Sequence, residues 1–251
     1  MKKVIIFSII STIATCPLFA ANPFDKFKDQ LSGVATKIAQ KNLDNFARDL
    51  GGLMGGASFH AGKTLGFPGF DVGVQIAAKN INEDDAIIKT AGIDNVFLPV
   101  IQMEIGLPAK IDLIGRYVTY ADATMVGGGL RYGIISNSCP GLPSLSVQAL
   151  YHTLNVASGV NKLTATNYCA MAMTSFNIPI VDPYLGIGMD STSVEPDSSI
   201  PLPSSGMKGS ASSVRIEGGI NMTLFPFTYI RIGGTLIAGN LDYNAGLGVK
   251  F

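Results

Sequence analysis

Charged residues make up only 14% of this 251-residue chain, which has two histidines and three cysteines. Each shortage excludes something. Without a Cys/His cluster at ligand spacing, a metal site has little to form from. Basic and acidic residues balance at 18 each, so there is no basic footprint for nucleic acid. No apolar run approaches the roughly 20 residues that a helix needs to cross a bilayer. No Gly-x-Ser-x-Gly elbow is present. The glycines of Gly127-Gly128-Gly129 and Gly186-Ile187-Gly188 are not followed by the helical spacing that a phosphate loop requires. The reading is of a chain that is not an enzyme and carries no cofactor.

What is present is apolar. Hydrophobic residues reach 47% and the mean hydropathy is +0.34, while charge falls well below the roughly 25% of soluble domains. The amino-terminus has the layout of a secretory signal peptide, residues 1–20. Lys2 and Lys3 precede an apolar run from Val4 to Ile13, and small residues follow to Ala20, where cleavage is expected. Cys16 offers a lipid-anchored alternative, although Thr15 is a poor residue before an acylated cysteine. Removing Lys2 and Lys3 with the signal leaves 16 basic residues against 18 acidic. Cys139 and Cys169 then remain. Hairpin register keeps them apart, so they are expected as free thiols, with a disulfide as the alternative in an oxidising compartment.

Asn22 to about Leu50 reads as an amphipathic helix, within an amino-terminal segment of residues 21–55. Phe24, Phe27, Leu31, Val34 and Ile38 recur at three and four, with Leu43, Phe46 and Leu50 beyond. Gly51-Gly52 and Gly55-Gly56 are expected to end it. Its position is expected to be a plug in the lumen or a periplasmic cap.

From residue 56 the apolar period switches to two. Eleven alternating segments of about ten residues follow, among them an uncertain one at Ala57 to Leu65 and an ambiguous one at Leu163 to Thr174. Ten residues is the length of a tilted membrane strand, and bacterial barrels have even strand numbers. Ten or twelve strands are therefore expected. The last segment, Leu241 to Phe251, alternates without a break and ends on an aromatic residue. It resembles the closing strand of a bacterial outer-membrane barrel. The connections support this. Gly66-Phe67-Pro68, Pro108-Ala109-Lys110, Asn177-Ile178-Pro179 and Phe225-Pro226-Phe227 are short and belong inside with Phe251. Asn80 to Asn95, Asn155 to Asn161 and Ser191 to Ala211 are longer and belong outside. A soluble lipocalin-like barrel or sandwich is the rival, and it would turn the apolar faces inward.

Further motifs carry a family resemblance: Gly106-Leu107-Pro108 before Ile111-Asp112-Leu113, Gly127 to Tyr132, Leu142 to Val147, Pro183 to Gly188, and Gly246 to Phe251. Over roughly Gly56 to Phe251 the chain resembles an uncharacterised family of outer-membrane β-barrels from Gram-negative bacteria. More distantly it is similar to FadL-type channels, which also carry an amino-terminal helical segment. The resemblance implies an all-β antiparallel transmembrane barrel, residues 56–251, and brings no catalytic or ligand-binding residues to these positions.

With the apolar faces on lipid, the strand charges turn inward, which avoids about 2–4 kcal/mol for an Arg or Lys at the bilayer midplane. The candidate lumen cluster is Glu104, Asp112, Arg116, Arg131, Arg215, Glu217, Arg231 and Asp242, with Asp71 and Lys250 beside it. It reads either as interior Arg–carboxylate pairs that fill the barrel or as a charged constriction. His60 and His152 read as lumen residues, and Glu83-Asp84-Asp85 as a solvated acidic loop. Tyr117, Tyr132, Tyr151, Tyr243, Phe70, Phe97, Phe227 and Phe251 fall on outward faces, as interfacial girdles do. The function expected is a passive channel or transporter for small solutes, hydrophobic ones among them. The alternative is a closed structural or adhesion-type barrel whose outer loops contact partners. The partners expected are outer-membrane lipids, the barrel-assembly machinery acting on the strand that ends at Phe251, and a small solute; nucleic acid is not expected.

Overall fold

The computed structural model describes residues 22–251 other than 121, 138 and 140. The expected signal peptide, its cleavage point and Cys16 lie outside the described residues. Ten antiparallel strands close into a barrel. They are β1 (Phe70–Asn80), β2 (Asn95–Leu107), β3 (Ile111–Tyr120), β4 (Ala123–Ile135), β5 (Pro143–Ser158), β6 (Asn161–Phe176), β7 (Val181–Pro196), β8 (Gly209–Phe225), β9 (Thr228–Ile237) and β10 (Asn240–Lys250). Each pairs with its neighbours in sequence, and β1 closes on β10 from Asp71 opposite Lys250 to Ala78 opposite Tyr243. No edge is left open, so every strand spends its backbone groups on a ladder.

The period of two sets the two faces. Ile101, Met103 and Ile105 of β2 point out and are exposed, while Val100, Gln102 and Glu104 point in and are buried. The same holds round the wall, with Leu130, Tyr132, Ile187, Met189, Ile232 and Leu247 outside. A soluble barrel would show the reverse. Phe70, Phe225, Phe227 and Phe251 form an exposed aromatic ring at the end where the chain closes. Phe227 and Phe251 stack there with centroids 5.2 Å apart.

One helix, α1 (Thr36–Gly55), lies inside the barrel, and a single turn, α2 (Ala86–Lys89), folds in the β1–β2 loop. The expected helix over Asn22 to Leu50 is corrected at both ends. Residues 22–34 form turns, with Gly33 at φ +74°. That break shifts the helical phase, so Ile38, counted in the apolar stripe, is 53% exposed. At the other end α1 runs through Gly51-Gly52 to Gly55. These glycines do not stop the helix. They let it approach the wall: a Cβ on Gly52 would stand 2.9 Å from Lys79 Cε, and one on Gly55 2.7 Å from Arg215 Nη2.

The amino-terminal segment threads the whole lumen. At the end bearing loops 81–94 and 197–208, the Lys28 amide donates to Asn161 Oδ1 at 3.0 Å. From Asn42 onward α1 is enclosed. Residues 57–69 then descend to the other mouth and enter β1. The strand expected at Ala57 to Leu65 does not form, because this backbone bonds to wall side chains instead of a ladder. Ser58 O accepts from Gln102 and Gln148 at 3.4 and 3.2 Å, His60 O from Asn221 at 2.7 Å, and the Gly62 amide donates to Ser175 Oγ at 2.9 Å. Those side chains satisfy groups that could not be left bare in the interior.

The loop expected at Asn155 to Asn161 is also corrected. β5 and β6 run 16 residues each and turn at 159–160. Their polar outward residues, Thr153, Asn155, Thr164 and Thr166, mark strand that extends past the apolar band.

Candidate functional site

The interior has two tiers. Towards the long-loop end, Val96, Val100, Val118, Met125, Leu154, Val156, Leu163 and Val194 face inward and pack on Phe27, Leu31, Leu43, Phe46 and Leu50 of the threaded segment. The amphipathic stripe therefore meets an apolar wall. Towards the other end the wall is charged. All eight candidate cluster residues are buried there or at mid-barrel.

They form separate groups. Arg131 Nη2 lies 2.6 Å from Glu104 Oε2, and Arg131 Nε donates to Asp112 Oδ2 at 2.8 Å. Asp112 also accepts the Leu65 amide, at 3.0 Å to Oδ1. Gln102 donates to Glu104 at 2.7 Å, and His60 Nε2 stands 3.5 Å from the same carboxylate. Arg215 grips Asp190 through Nε and Nη2, at 2.8 and 3.1 Å. Glu217 approaches Arg215 only to 3.9 Å, and accepts Asn244 Nδ2 at 3.0 Å. Asp242 pairs with Lys79 at 3.1 Å, and Lys79 also meets Asp49 of α1 at 3.5 Å.

Arg116 and Arg231 depart from the expected ladder of Arg–carboxylate pairs, because neither forms an ion pair among the described residues. Arg116 donates to Met54 O at 2.7 Å and Gly56 O at 2.8 Å; Arg231 reaches Ala57 O at 3.5 Å. Arg215 adds Gly52 O at 3.4 Å. Three wall arginines thus surround the carboxy-terminal end of α1, whose last carbonyls lack helical partners and carry the negative end of the helix dipole. Arg116 also contacts His152 Nε2 at 3.0 Å, and His152 Nδ1 contacts Asn167 Oδ1 at 3.1 Å. Both histidines are lumen residues.

The acidic triplet is only partly solvated. Asp84 pairs with Arg48 of α1, and Glu83 with Lys89 at 2.8 Å. Asp85 is buried and accepts the amides of Ile87 and Ile88 at 3.0 and 3.1 Å. Burial, with Asp49 nearby, pushes its carboxyl up to about 7. Cys139 and Cys169 are both free, the second buried.

Lys79, Asp190 and Asp49 were missed among the strand and helix charges. The signals existed. Lys79 shares parity with Asp71 and Gln75 on a strand that runs to Asn80, Asp190 sits on the glycine face of β7, and Asp49 lies three residues from Phe46 and four from Leu53.

The sequence profile of a family of unknown function, DUF6588, matches residues 85–251. The chain belongs to that family. The match begins in the β1–β2 loop, so α1 and β1 precede it. No curated protein matches the chain. Among solved structures, the amino-terminal β-barrel domain of Pseudomonas aeruginosa OprF is 12% identical, with 73% of this chain and 97% of that one covered and a TM-score of 0.33. The Yersinia pestis attachment invasion locus protein Ail, solved with the heparin analogue sucrose octasulfate, is 14% identical over 73% and 97%, TM-score 0.33. The β domain of the Bordetella autotransporter BrkA is 11% identical over 73% and 100%, TM-score 0.37. These likenesses are of barrel architecture between bacterial outer-membrane proteins and this member of DUF6588. The FadL resemblance is not carried by them.

Proposed function

We propose that this DUF6588 protein is an outer-membrane barrel that rests closed, its lumen filled by its own amino-terminal segment. The long loops face the exterior and the ring of phenylalanines the periplasm. The observation that carries the reading is the charge interlock at mid-barrel: Lys79 held between Asp49 of α1 and Asp242 of the wall, beside three arginines on the carbonyls at the end of α1. An open passive channel would leave these groups to water. Delivery by the barrel-assembly machinery through β10, and lipid contact through the apolar band, belong to the same proposal.

A gated passage is the second reading. It is favoured by the wall charges that face α1, which would line a hydrated pore if the segment withdrew. Planar-bilayer recording tests both. The closed barrel predicts a silent wild type. Deleting residues 22–50 opens conductance if the segment is a gate, and a barrel that stays silent sinks the gated reading. Steady wild-type conductance overturns the closed one.

A further inference from the structure

A cavity of about 420 Å³ opens at the inner mouth, between the descending segment and the wall from β4 round to β1. Its size is within the usual range for small-molecule sites. Two buried side chains that line it hold unused hydrogen-bonding atoms. Arg131 spends Nε and Nη2 on Asp112 and Glu104, and its Nη1 has no partner among the described residues. His60 turns Nε2 toward Glu104 and Asp71, and its Nδ1 has none. Lys63 and Lys250 stand at the same cavity, and neither side chain forms an ion pair among the described residues.

The carboxylates at the cavity are already engaged. Asp71 accepts the Tyr229 hydroxyl at 2.9 Å, and Asp182 accepts the Ile178 amide at 3.2 Å. Three cations, Arg131, Lys63 and Lys250, outnumber these two carboxylates at the cavity, and His60 Nδ1 is suited to a hydroxyl, which can donate to a neutral ring or accept from a charged one. Leaving such buried atoms unpaired is unfavourable.

We infer that the inner mouth is a binding site for a small hydroxylated anion, its acidic group met by Arg131 Nη1, Lys63 and Lys250 and a hydroxyl met by His60 Nδ1. The acidic group is a carboxylate or a phosphate, as in a sugar acid or a sugar phosphate. The site opens to the periplasmic side and does not require the lumen to conduct, so it goes beyond the closed-barrel reading and can fail independently of it.

Calorimetry on the full-length protein in detergent tests this with gluconate, glucose 6-phosphate, succinate and glucose. Binding of gluconate or glucose 6-phosphate is expected, and the stronger of the two identifies the acidic group. Glucose, without charge, and succinate, without a hydroxyl, should each bind about tenfold more weakly, the loss of one good interaction. The double variant Lys63→Gln/Lys250→Gln, which removes no ion pair among the described residues, should lose about tenfold for the anion with unchanged heat-modifiable gel migration. Heat released by none of the four ligands, glucose binding as well as the anions, succinate binding as well as gluconate, or a double variant that binds like wild type would each overturn the site.

Discussion

Lys79 of the barrel wall meets Asp49 of the threaded helix at 3.5 Å, with both side chains at most 1% exposed. Asp49 also accepts the Asn82 amide at 2.9 Å, so one carboxylate ties together helix, strand and the β1–β2 loop. Breaking a buried pair outright costs about 3–5 kcal/mol. Here Asp242 stays with Lys79, so Asp49→Ala should cost about 1–3 kcal/mol. The loss should appear as a lower temperature for the heat-modifiable gel shift, and as channel openings that the wild type lacks.

The glycines of α1 give a second prediction. A Cβ on Gly51 would collide with Thr192 Oγ1. Gly51→Ala should therefore loosen the segment by about 1–3 kcal/mol, the usual cost of overpacking. Trypsin should then cut at Lys37 and Lys41 faster in the variant. Adding Thr192→Ala removes the colliding oxygen and should restore most of the protection. No rescue would mean that Gly51 does not face Thr192.

The threading itself predicts a topology. The proposed orientation puts residues 22–34 at the outer rim, so an epitope inserted just before Asn22 should bind antibody on intact cells. Binding only after permeabilisation would reverse the orientation.

Asp85 predicts a pH dependence in the β1–β2 loop, residues 81–94. Its folded carboxyl is raised to about 7 by burial and by Asp49, against about 3.9 in an unfolded chain. The folded loop then holds a proton that the unfolded loop sheds. Its stability is fullest below the unfolded value, falls as pH rises through the window between the two, and levels off above about 7. Asp85→Asn keeps a capping oxygen and removes the charge. Hydrogen exchange of Ile87 and Ile88 should be slower in the variant than in the wild type at pH 8, and alike at pH 4.

The strands were legible because alternation is local. Leu241 to Phe251 alone marked the closing strand, and the parity of Glu104, Asp112 and Arg131 placed all three in the lumen. The partners were not legible. Arg116 and Arg231 look like any lumen arginines, yet they serve carbonyls more than 50 residues away in sequence. Residues 57–65 alternate like a strand, but their neighbours are side chains from several strands, which no local pattern records. Asn155 looks like a loop residue because polarity marks water, not the end of a strand. The glycines of α1 look like a terminator because a close approach to another element is invisible until that element is placed.

The central claim is that the amino-terminal segment occupies the lumen, and a crosslink across it is the most direct test. A Cβ on Gly51 would stand 3.1 Å from Thr192 Cβ, within a few tenths of an ångström of the 3.5–4.5 Å that disulfides span. With Cys139→Ser and Cys169→Ala in place, the pair Gly51→Cys and Thr192→Cys should oxidise spontaneously in the cell envelope and show as a faster-migrating unreduced band. Two thiols that stay reduced and take up a maleimide label would contradict a filled lumen.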